Sequence, residues 1–239
     1  MRPYLAAMML AIGVAPASAQ DWVNIDIWGN GILGQTALRH AEEATRQSGQ
    51  GRRGEAGTSG SRRQKVASDL AYVRSGDLSS QIEQAVAGRL PQLVSLRFRM
   101  DDPSRFVRTA GTRAIYRREL QSRGLPENSV SGATALFLSV GWELANGRRL
   151  TPAQNAAIYR QANNGLKSSP LIRQSNAQRQ QEAEMRLIVA GLWLEEARIR
   201  ASSPKMNAEM ADAVWKDMRA ITRNDMRAYN VTVAGFTDR

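Results

Sequence analysis

Residues 175–201 read SNAQRQQEAEMRLIVAGLWLEEARIRA, and this stretch decides the fold. Met185, Ile188, Val189, Leu192 and Ile199 recur at helical spacing on one side. Leu187 and Leu194 lie on the opposite side. A helix that is apolar on two sides needs cover on both, so it belongs at the centre of a bundle.

Reading outward, the pattern stays helical. Pro204 opens a helix that runs to about Arg227, with Met206, Met210, Val214 and Ile221 as its stripe. On the N-terminal side, Thr151 caps a helix with Pro152 at its first position. Before it lies Ser129–Ala145, striped by Val130, Ala133, Thr134, Phe137, Gly141 and Leu144 and closed by Asn146-Gly147. Asp101 or Asp102 caps a helix expected to run unbroken to Arg123, and Leu78–Leu90 is expected to stop before Pro91. In the tail Tyr229–Phe236, Val231 and Val233 alternate and predict an extended strip that folds back. The reading is all-α: a single helical bundle of five to six helices over 66–239. Trp142, Trp193 and Trp215 sit on its helices and are expected in the core or at its edge.

The first 65 residues differ in kind. Arg2, the apolar run Tyr4–Ala15, Pro16 and Ala17-Ser18-Ala19 read as a signal peptide over 1–19, with cleavage after Ala19. The run is shorter than the roughly 20 residues a membrane span needs, and no later segment is apolar enough to be one. A secreted or periplasmic product follows. Residues 20–45 form an N-terminal segment. Residues 46–65 form a disordered linker of Gly, Ser and Arg with a charge of +5.

Composition removes several chemistries. There is no cysteine, so thiol catalysis, Cys-ligated zinc and iron–sulfur clusters are out. The one histidine, His40, precedes the linker and is poorly placed for a catalytic triad. No cofactor and no metal site are expected. Gly29-Asn30-Gly31-Ile32-Leu33-Gly34 matches the dinucleotide fingerprint, but the chain then enters the Gly/Arg linker where a second parallel strand should follow. The formal charge is +11, carried by 29 Arg and 4 Lys. It suits an anionic envelope polymer or lipid surface, or it reflects arginine-solvated helix faces. Arg97, Arg99, Arg105, Arg108, Arg113, Arg117, Arg118 and Arg123 are scattered around their helix, which favours the second reading and argues against nucleic acid.

Three carboxylates are candidates for chemistry. Glu143 lies opposite its helix's apolar stripe, as does Ser139, and is expected to reach solvent. Glu196 falls inside the Met185–Ile199 stripe and Asp217 lies close to the Met210–Ile221 stripe. Helices meeting around Pro204 would bring these two together. Apolar neighbours raise a carboxyl pKa, as an acid catalyst needs. Against this, Arg200 stands four residues after Glu196 in the order that favours an ion pair. Asn230-Val231-Thr232 matches a glycosylation sequon, informative only in a source that glycosylates exported chains.

Gly124-Leu125-Pro126-Glu127-Asn128-Ser129-Val130, Trp142-Glu143-Leu144-Ala145-Asn146-Gly147, Gln181-Glu182-Ala183-Glu184 and Ala234-Gly235-Phe236 carry a further signal. Over about 66–236 the chain resembles a family of exported bacterial helical proteins grouped as a domain of unknown function. The resemblance implies a helical domain behind a signal peptide and a variable linker, and it brings no activity or catalytic residue. Two functions are therefore expected. The first is a non-enzymatic cell-envelope or extracellular module that binds an envelope protein or an anionic surface. The alternative is an envelope glycan hydrolase using Glu196 and Asp217.

Overall fold

A computed structural model describes residues 70–239. The expected signal at 1–19, the segment 20–45 with His40 and Gly29–Gly34, and the expected linker 46–65 lie outside the described residues.

Among the described residues there are seven α-helices: α1 (Gly76–Leu93), α2 (Pro103–Arg108), α3 (Gly111–Ser122), α4 (Val130–Asn146), α5 (Pro152–Lys167), α6 (Asn176–Arg200) and α7 (Pro204–Thr222). Short 3-10 turns cover Pro170–Arg173 and Met226–Ala228. A hairpin of β1 (Tyr229–Thr232) and β2 (Gly235–Asp238) closes the chain, antiparallel, with Val231 opposite Phe236. The predicted all-α bundle is the observed one, and the predicted extended strip is this hairpin.

Local chemistry sets the helix starts. Ser75, Asp102, Ser129, Thr151, Ser175 and Ser203 each accept a first-turn N–H at the start of a helix. Thr151 with Gln154, and Ser175 with Gln178, close reciprocal capping boxes.

Two helix boundaries depart from expectation. The first helix runs through Pro91 to Leu93. Proline lacks the N–H that would bond the Ala87 carbonyl four residues back. The Ser104 hydroxyl donates to that carbonyl at 3.0 Å, so the helix continues. The helix expected from Asp102 to Arg123 is broken at Ala110, which is left-handed (φ 59°). A Cβ on the following residue, Gly111, would lie 2.3 Å from the Phe106 ring, so a glycine is needed for this turn to close.

The long helix α6 is the hub, packing on α1, α3, α4 and α7. Gly191 lets α3 approach: a Cβ there would meet the Thr112 carbonyl at 3.0 Å. Trp193 is fully buried and stacks on Phe137 of α4, with ring centroids 5.4 Å apart. Trp142 is also buried, and its indole N–H donates to the Tyr229 carbonyl at 3.1 Å. Trp215, at the core edge, donates to Asp225 and lies beneath the Arg227 guanidinium, 4.9 Å from the ring centre. All three tryptophans thus meet the packing expectation.

Candidate functional site

Side chains of α6 hold two extended stretches of the chain. At its N-terminal end, Asn176 accepts from Val73 N–H (2.7 Å) and donates to Val73 C=O (2.8 Å). One turn on, Gln180 does the same to Ser75 (2.9 and 2.8 Å). The two amides bond alternate residues, as a neighbouring strand would. At the C-terminal end, Glu196 accepts from Arg99 N–H (2.7 Å), Met100 N–H (3.3 Å) and Arg200 Nε (2.6 Å). Arg200 in turn donates to the Arg97 carbonyl. Asp217 of α7 accepts from Ser95 N–H at 2.7 Å.

Glu196 and Asp217 are therefore brought to one stretch, residues 95–100; its backbone amides occupy both oxygens of Glu196 but only Oδ1 of Asp217, whose buried Oδ2 has no partner. Glu196 is wholly buried, with both carboxylate oxygens bonded. Burial pushes the Asp217 carboxyl up against the opposing pull of the Ser95 contacts. Neither residue lines the groove beside Arg148 and Met210 or the cleft beside Tyr72 and Tyr116. The ion pair expected between Glu196 and Arg200 is present.

Glu143 corrects the sequence reading. It is 5 % exposed and does not reach solvent. It accepts from Arg123 (3.0 and 2.9 Å), from Arg149 (3.2 Å) and from Leu150 N–H (2.9 Å). Ser139 is buried too. The wheel assumed one wet face, but α4 is buried almost all round, and Arg123 at the end of α3 supplies the countercharge.

The stretches that carry the family resemblance do structural work. Glu143 anchors the Gly147–Leu150 turn, and Asn146 bonds the Met226 carbonyl. Glu184 collects Ser79, Arg74 and Gln180. Phe236 N–H bonds Gln161. The family described as a family of unknown function (DUF6683) matches residues 2–229. The chain belongs to this family. The match takes in the N-terminal residues as well as the helices, and it ends at Tyr229, ahead of Ala234-Gly235-Phe236. No curated protein and no solved structure matches the chain.

What the packing leaves open is a groove of about 620 Å³ between the ends of α4 and α6 and the start of α7. That volume is within the roughly 300–1,000 Å³ of ligand sites. Leu144, Leu194, Ala197, Met210 and Ala211 supply its apolar lining, and Arg148, Arg149 and Arg198 its charge. Arg149 and Arg198 already face Glu143 and Glu195 but stay largely exposed. Arg148 has no acidic partner among the described residues. Sequence reading did not single out these arginines. The Gly147-Arg148-Arg149 step after α4 was legible, but its meeting with the end of α6 was not.

Proposed function

We propose that the protein is a non-enzymatic binding module of the cell envelope or exterior. Residues 1–19 direct its export, and its ligand is an anionic lipid surface. The groove carries this reading, because an apolar lining beside arginines suits acyl chains below anionic head groups. No helix among the described residues is long and apolar enough to cross a membrane, so attachment would be peripheral.

The test is co-sedimentation with phosphatidylcholine vesicles, with and without phosphatidylglycerol. Association is expected only with the anionic vesicles, and it should fall as salt rises past a Debye length of about 8 Å. Arg148→Glu with Arg149→Ala should weaken it several-fold. Undiminished binding by that variant would assign the affinity elsewhere, for instance to the basic residues 46–65, and the groove reading would be abandoned. Absence of any binding to anionic vesicles would also end it.

A further inference from the structure

A second cleft, of about 110 Å³, lies among Tyr72, Arg74, Tyr116, Arg117, Glu127 and Leu187. At roughly 30 Å³ per water it has room for a few waters or one small oxyanion. Tyr72 and Tyr116 are 6 % and 4 % exposed, and both line the cleft. Arg74 spends Nε on Glu184 at 3.1 Å, while its buried Nη2 has no acceptor. Buried polar groups are normally satisfied, so an unmet guanidinium nitrogen at a cleft edged by two phenols calls for an explanation.

The guanidinium and the two phenols share one capacity. Arginine can only donate, and a phenol donates through its hydroxyl. Burial first, and the Glu184 carboxylate second, push both phenols above the usual tyrosine range, so they remain protonated donors at neutral pH. The nearby carboxylates are already engaged. Glu184 is held by Arg74, Ser79 and Gln180, and Glu127 meets Arg117 at 3.4 Å. The complement of such a set is a compact group that only accepts.

We propose that the Tyr72–Arg74–Tyr116 cleft is a binding site for a phosphate group, distinct from the groove between α4, α6 and α7. Free phosphate would fill it, and a phosphate monoester would leave its organic part outside the mouth.

The test is calorimetric titration of the purified protein with inorganic phosphate and, separately, with glycerol 3-phosphate. Sodium chloride at matched ionic strength is the control. Saturable binding of phosphate, not reproduced by chloride, is expected. If both phosphates bind, the tighter one identifies the source. Tyr72→Phe with Tyr116→Phe keeps both rings and should weaken binding roughly tenfold or more. Arg148→Glu should leave it unchanged, which separates this site from the groove. Tyrosine ring signals of the parent protein, followed by NMR, must also move on phosphate addition, a readout that needs no variant. The proposal is overturned by any of three results: no saturable phosphate binding, unchanged binding by the double variant, or unmoved ring signals.

Discussion

The two ends of α6 perform the same task with different chemistry. At the N-terminal end, neutral amides grip residues 73 and 75. At the C-terminal end, Glu196, Arg200 and Asp217 grip residues 95–100. An amide both donates and accepts, so one side chain satisfies both polar groups of a residue. A carboxylate only accepts, so Glu196 needs Arg200 for the carbonyl side and for charge balance. The amide grip is nearly self-sufficient. Within the charged grip, Glu196 and Arg200 are a pair whose members fail together.

The largest effect should come from breaking the charged set. Glu196→Ala leaves the buried Arg200 guanidinium without its countercharge and two backbone N–H groups unmet. We expect a loss of about 3–5 kcal/mol in chemical denaturation, the cost of orphaning a buried ion pair. A loss below 1 kcal/mol would mean that the two grips are equivalent. At the other end, Gln180→Ala should cost less, about 1–3 kcal/mol, because the backbone groups it strands are neutral and Glu184 keeps Ser79 and Arg74. Asn176→Ala, beside the exposed Val73, should cost about 0.5–1.5 kcal/mol, since water replaces the amide there. If Gln180→Ala proved costlier than Glu196→Ala, the comparison would be inverted.

The smallest effect has the opposite sign. Burial raises the Asp217 carboxyl pKa, so the folded state holds that proton more tightly than the unfolded chain does. Its contribution to stability is full below the unfolded carboxyl range and is lost as pH rises through the folded value. Asp217→Asn keeps an oxygen for Ser95 N–H and removes the charge. It should raise Tm by about 1–3 °C at pH 7 and change little near pH 3. Melting curves at both pH values decide it. A lower Tm at pH 7 would show that the charge itself is needed.

Much of the fold was legible because its signals are local. Thr151-Pro152 and Ser175 with Gln178 announce helix starts through side chains that reach only a few residues. The double apolar face of α6 announced a central helix. The misreadings share one cause. Pro91 looked like a stop because the hydroxyl that rescues the Ala87 carbonyl belongs to Ser104, on another helix. Ala110 carries no breaker signature of its own, and the ring of Phe106 shapes the turn there. The groove and the tyrosine cleft join residues from separate helices, and no spacing rule encodes that meeting.

Sequence alone determined an all-α domain, its central helix, most of its capped starts, and the exclusion of thiol chemistry. Each follows from periodicity, local hydrogen bonding or composition, which act within a few residues or over the whole chain at once. Tertiary structure alone decided the fate of the charges. It buried Glu143 against Arg123 and set Glu196 and Asp217 on the backbone of residues 95–100. It left Arg148 without an acidic partner among the described residues. Whether a carboxylate is reactive, structural or solvated depends on which distant groups surround it. For these residues the partners lie as many as 122 positions away.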